Sequence, residues 1–418
     1  MSIRSLSPEA RRVIVAALAA AALKVILAAT TGGTDDIVHW TNFDRGRSVR
    51  PDRHLRPSVL GPVQPSALAG WWLMGVNLFN GLGFDKAFLI RLPAIGADVW
   101  TCWLAFRLLG ERSSPRVAAT AAIGIAWSPV LLAVSGYHGN TDPVFVMLTL
   151  TAYWLLTRRD RPFAGGVALG LALSVKLVPV VALPWMVYLA VRRGRVAAAR
   201  FVGGAGVVFA VLWLPVVALR WSDFADNVLF YRGVSVREWG LAERLQQAGH
   251  PGADVWLAEH GSLVPLVAAL IPFVFARARS DAGLSGLGLT LVAMLVLSPA
   301  FGLQYLSWAL VPAYLVSIRF AWLYNVTAGV FAVSVYSSWN GAPPWGWDVA
   351  IGAAFTPDQL RLGAIAWACL VAVLVVGMIG REPGSEAAGS NGDGAGVAGE
   401  RDDPGEVGPA GRVGVLTG

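Results

Sequence analysis

The sequence predicts an all-α fold, a polytopic membrane helix bundle of about twelve transmembrane helices whose extracytoplasmic loops carry short helices. Three observations predict it. Of 418 residues, 56% are hydrophobic and only 14% charged, with a mean hydropathy of +0.58, well outside the soluble range. Apolar runs of about 17 to 25 residues, the length that crosses a hydrocarbon core of roughly 30 Å, recur from Val13 almost to Gly380. Arginines, finally, cluster in alternate connections between these runs.

Taken in order, the expected spans are 12–30, 88–109, 117–135, 142–157, 163–178, 179–191, 197–219, 263–276, 284–299, 303–318, 320–338 and 360–380. The first has the basic start of a signal peptide (Arg4, Arg11, Arg12), but Lys24 interrupts its apolar region and many spans follow. It therefore reads as an uncleaved helix. Both cysteines, Cys102 and Cys369, fall inside expected spans, so neither a disulfide framework nor a CxxC metal site is available. The net charge of +7 suggests membrane lipids as partners and gives no support for nucleic acid.

The clusters at Arg107, Arg112 and Arg116; Arg158, Arg159 and Arg161; Arg192, Arg193, Arg195 and Arg200; Arg277 and Arg279; Arg319; and Arg381 place those connections, with both termini, in the cytoplasm of a multi-pass plasma (inner) membrane protein. The remaining connections, 31–87, 136–141, the turn near 178, 220–262, 300–303 and 339–359, then lie outside. Loop 31–87 is itself rich in arginine, but long loops translocate largely regardless of charge. Residues 1–380 read as one membrane-embedded domain, with loops 31–87 and 220–262 long enough to fold. Residues 381–418, rich in Gly, Ala, Pro, Glu and Asp, read as a disordered acidic cytoplasmic tail.

Charged side chains near membrane depth are costly and mark candidate sites. "GGTDDIVHW" after the first span carries Asp35, Asp36 and His39; a polar helix cap is the plainer explanation. "SGYHGNTDPVF" carries His138, Asn140 and Asp142. An Asp before a first-turn Pro is a common helix start, but His138 and Asn140 are not needed for one. "ALSVKLVPVV" holds a lone Lys176, either snorkelling to the interface or suited to a lipid phosphate. "SPAFGLQYLSW" carries Gln304 and Tyr305, and "YRGVSVREWGL" carries Tyr231 and Arg232, which could stack on a sugar or pair with a phosphate. The arginine-derived topology puts all five clusters on the outer face.

Carboxylates, histidines, a lysine and arginines beside apolar helices suit a lipid-linked phosphate compound. In glycosyl transfer from a polyprenyl phosphate sugar, a carboxylate takes the acceptor hydroxyl proton while cations stabilise the departing phosphate. This set calls for no cofactor and no metal.

The chain resembles the multispanning C-type (GT-C) glycosyltransferases that use polyprenyl phosphate donors, especially bacterial mannosyltransferase-like members. The resemblance runs through "DDIVHW", "FLIRLPAIGADVW", "SGYHGNTDPVF", "LALSVKLVP", "YRGVSVREWG" and "SPAFGLQYLSW", over roughly residues 30 to 320. It implies Asp36, with Asp35 beside it, as the catalytic base, and supports Asp142, Lys176 and Gln304 as site residues. It also implies an inverting transfer, of mannose by expectation, to a glycan or glycolipid acceptor. Such proteins often carry an Asn-His-Pro-Pro-Leu or Tyr-Pro-Pro element before the second span; here "GPVQPSALAGWW" keeps only Pro65, which puts acceptor binding, donor choice and activity itself in question. The alternatives are a transporter or flippase of lipid-linked sugars and a catalytically inactive assembly partner.

Overall fold

The computed structural model describes residues 6–44, 67–225, 238–275, 282–340 and 344–379. In chain order the α-helices are α1 (Pro8–Thr30), α2 (Asp35–Asp44), α3 (Ala67–Asn80), α4 (Lys86–Leu109), α5 (Pro115–Ala126), α6 (Pro129–Ala133), α7 (Asp142–Thr157), α8 (Pro162–Val175), α9 (Leu183–Arg192) and α10 (Arg195–Leu212). They continue as α11 (Leu214–Leu219), α12 (Trp221–Phe224), α13 (Gly240–Gln247), α14 (Pro251–Glu259), α15 (Leu263–Phe275), α16 (Ala282–Leu297), α17 (Leu306–Val316), α18 (Ile318–Asn340) and α19 (Pro357–Ile379). The described residues contain no β-strand, only an isolated parallel bridge between Thr34 and Ala350.

Every expected span coincides with an apolar helix, but among the described residues only six are long and apolar enough to cross a membrane unaided: α1, α4, the broken run Pro115–His138, α10, α18 and α19. The other six are shorter apolar helices of 10–17 residues, and at 1.5 Å per residue these fall short of a roughly 30 Å core. Length and composition therefore give six candidate spans and leave the expected count of about twelve unconfirmed. The shortening has local causes: α8 stops where Lys176 turns extended (φ −157°, ψ 145°), and a single turn of 3₁₀-helix, Val178–Ala182, intervenes before α9.

Helix starts follow ordinary capping chemistry. Ser7 and Ser114 each precede a proline and accept a backbone N–H of the first turn, Ala10 at 3.2 Å and Val117 at 3.3 Å. Asp85 does the same for Phe88 at 2.7 Å at the head of α4.

Packing is set by small residues. α8 lies against α7 and α10, and a Cβ at Gly166 would strike the Phe201 carbonyl, as one at Gly204 would strike that of Phe163. Without a water-driven force between membrane helices, such close backbone approach supplies the contact energy. The main core runs through α1, α4–α8 and α16–α19. A second, smaller core joins Ile37 and Trp40 of α2 to Leu73 and Val76 of α3 and to Leu89 and Ile90 of α4. It anchors α2 to the bundle.

The 31–87 and 220–262 connections do carry short helices: α2 and α3 in the first, α12 to α14 in the second. The expected tail, residues 381–418, lies outside the described residues. So do Tyr231 and Arg232.

Candidate active site

α1, α6, α8 and α18 reach one end of the bundle with their C-termini, and α2, α7 and α17 begin there. Asp36 is the second residue of α2. The turn before it, Thr31–Thr34, is held by the segment ahead of α19: Gly32 N–H donates to Gly346 O (3.1 Å), Asp35 N–H to Ala350 O (3.1 Å) and Ala350 N–H to Gly33 O (2.8 Å). Only glycine fits at 33, where φ is +84° and a Cβ would collide with the Arg91 guanidinium. Arg91, fully buried on α4, donates Nη1 to the Ala28 (2.8 Å) and Thr31 (3.0 Å) carbonyls, closing the C-terminal end of α1.

His138 ends a π-helical turn, Val134–His138, that continues α6, and Gly139 at φ +87° redirects the chain. This puts the ring against Asp36. The Asp36 Oδ2 atom lies 2.9 Å from His138 Nε2 and accepts the Asn140 amide at 2.8 Å. Its Oδ1 has no hydrogen-bond partner among the described residues. On the far side of the ring, the Tyr336 hydroxyl lies 2.8 Å from His138 Nδ1.

Asn140 joins this centre to a second one. Its side-chain carbonyl accepts the Asp142 N–H at 3.0 Å. Asp142, its side chain wholly buried, accepts Lys176 Nζ on Oδ1 (2.7 Å) and Trp308 Nε1 on Oδ2 (2.6 Å). The ammonium also sits 4.8 Å from the Tyr305 ring centre and 4.9 Å from that of Trp308, and the two rings stack at 3.8 Å. A desolvated cation over aromatic faces is held by their quadrupoles as well as by the carboxylate.

The two acidic side chains of α2 have opposite environments. Burial raises the Asp35 carboxyl above its ordinary range, reinforced by the charge of Asp36. Burial also acts to raise Asp36, but His138, through its charge when the ring is protonated and through its hydrogen bond, the Asn140 amide and the charge of a protonated His39 together outweigh it. They hold the carboxyl at about 2. Asp36 is therefore ionised at neutral pH, whereas its neighbour binds a proton more readily.

The structure thus gathers Asp36, Asp35, His39, His138, Asn140, Asp142, Lys176 and Tyr305 at one end of the bundle. Gln304 lies in the short 3₁₀ turn Leu303–Tyr305, against the π-helical turn, where its backbone carbonyl accepts Ser307 Oγ at 2.7 Å. Trp308, Tyr336, Thr34 and Arg91 join the set without having been singled out. Trp308 and Arg91 stand inside stretches already quoted; Tyr336, in an apolar helix where tyrosine is common, carries no local signal. Among the described residues no group of three or more His, Cys, Asp or Glu side chains could hold a metal ion.

Long apolar helices with a polar, hydrogen-bonded centre at their ends mark a candidate site in a membrane protein. The chain belongs to glycosyltransferase family 87, whose family model matches residues 86–299, just over half of its length. It is a membrane glycosyltransferase of the GT-C type. The matched region contains His138, Asn140, Asp142 and Lys176, while Asp36 and Tyr305 lie outside it. No individual curated protein matches the chain.

Proposed function

We propose that the protein transfers a sugar, mannose by resemblance, from a polyprenyl phosphate donor to an acceptor hydroxyl at the extracytoplasmic face, with inversion and with Asp36 as general base. The acceptor proton passes to Asp36 Oδ1 as the acceptor oxygen bonds to C1. The C1–O bond to phosphate breaks, its electron pair leaving with the phosphate. Lys176, with 19% of its side chain still exposed, faces the phosphate while Asp142 keeps the ammonium oriented. His39 and Gln304 line the same end, and Tyr231 and Arg232 are assigned to it from sequence.

The observation that carries this reading is the state of Asp36. One oxygen takes two N–H donors (2.9 and 2.8 Å), the carboxyl is held at about 2, and the other oxygen is free of protein partners among the described residues. Such a group is ionised and fixed in direction, with 27% of its side chain exposed, which suits it to receive a proton.

The test is turnover of radiolabelled polyprenyl phosphate mannose by the purified protein in lipid nanodiscs, read as released polyprenyl phosphate. Asp36→Asn is expected to remove it, and full activity in that variant would exclude Asp36 as the base. Movement of the labelled lipid across vesicles with no new glycosidic bond would favour transport instead.

A further inference from the structure

We infer that Tyr336 is a positioning residue that holds His138 as the neutral tautomer with its proton on Nε2, keeping Asp36 Oδ2 engaged and Oδ1 turned toward the acceptor hydroxyl. The inference rests on the proposed role of Asp36 as base.

Hydrogen-bond bookkeeping around the ring carries it. An ionised carboxylate only accepts, so the ring nitrogen facing Asp36 at 2.9 Å, Nε2, bears a proton. In a neutral ring Nδ1 then needs a donor. Two hydroxyls reach it, Tyr336 at 2.8 Å and Thr34 at 3.4 Å. Thr34 spends its one proton on the His138 backbone carbonyl at 2.9 Å, so Tyr336 is the donor to Nδ1.

A cationic ring breaks this arrangement. Both ring nitrogens would donate, the Tyr336 oxygen would have to accept, and the displaced phenol proton would have no acceptor among the described residues at a site with 0% exposure. The hydroxyl cannot swing elsewhere, because the ring is wedged between Tyr137 (5.4 Å, 74°), Trp339 (5.7 Å, 88°) and Trp345 (5.7 Å, 71°). Tyr336 thus acts on Asp36 through the imidazole, from a helix that contributes nothing else to the carboxylate.

The chain has five histidines, so ¹⁵N-histidine NMR of the full-length protein in nanodiscs resolves them, with His138→Gln identifying the His138 signals. The parent protein is expected to show Nε2 protonated and Nδ1 as a hydrogen-bonded acceptor. Tyr336→Phe, which keeps the ring packing, should move the Nδ1 signal to its unbonded position. With the labelled donor, it should lower kcat about tenfold, the scale of one lost hydrogen bond, leaving KM unchanged. In the His138→Gln background the same Phe substitution should cost nothing further. Unmoved His138 signals in Tyr336→Phe, a cationic ring in the parent, or an equal kcat loss in both backgrounds would each overturn the inference. Full activity of Asp36→Asn would instead overturn the assignment of the base while leaving the NMR result standing, so the two failures are distinguishable.

Discussion

Asp36 and His138 stand 102 residues apart in sequence and meet at 2.9 Å between Oδ2 and Nε2. The contact exists because two glycine-dependent turns, at Gly33 and Gly139, bring the ends of α1 and α6 to the same point. Removing the carboxylate charge by Asp36→Asn should lower transfer by roughly 10² to 10⁴, the usual contribution of a positioned base. Asp35→Asn should leave most activity, since Asp35 touches neither His138 nor Asn140 through a side-chain hydrogen bond. Initial rates on the labelled donor check both.

The same pair predicts an acid dependence of stability. The Asp36 carboxyl lies below its ordinary 3.8, at about 2 when folded. Its contribution is therefore present above about 3.8 and lost as pH falls through about 2, with a size of about 2 kcal/mol. His138→Ala removes the largest favourable partner and should shift that loss up toward the ordinary carboxylate range. Thermal melting in detergent as a function of pH, with Asp36→Asn as the reference, measures the difference.

Lys176 and Asp142 form a pair in which the carboxylate is wholly buried. Lys176→Met leaves that charge with Trp308 Nε1 alone and should cost about 3–5 kcal/mol. Lys176→Met with Asp142→Asn, which removes the charge yet keeps an acceptor for Trp308, should recover most of the melting temperature and remain inactive. Equal melting temperatures of the single and double variants would rule out the uncompensated carboxylate as the source of the loss.

Gly33→Ala places a side chain where φ is +84° and where the Arg91 guanidinium already sits. A destabilisation of about 1–3 kcal/mol is expected from the backbone strain, together with lost turnover, because Asp35 and Asp36 follow directly. Gly203→Ala, which meets nothing within 4 Å, serves as the control in the same melting and rate measurements.

Much of the site was legible in the sequence because charge in an apolar chain is conspicuous: Asp36, His138, Asp142 and Lys176 each interrupt a greasy stretch. Asn140 was legible as a neighbour, but its position between the two centres, with Nδ2 on Asp36 and Oδ1 on the Asp142 N–H, was not. Tyr336 and Trp308 were not legible as site residues, since an aromatic in a membrane helix is by default packing. The breaks at Lys176 and Gly302, where the backbone leaves the helix, were not legible, because hydropathy averages across them.

Composition and the length of the apolar runs alone determined that the chain is helical and membrane-embedded, because an apolar segment in lipid must satisfy its backbone internally. Local residue chemistry nominated the acidic, basic and histidine positions. Which of them touch was decided only by the tertiary structure, through the 344–356 segment that pins the Asp36 turn and through Gly33 and Gly139. Hydrogen-bond pairing across 102 residues depends on backbone geometry at those turns, and no local pattern encodes it.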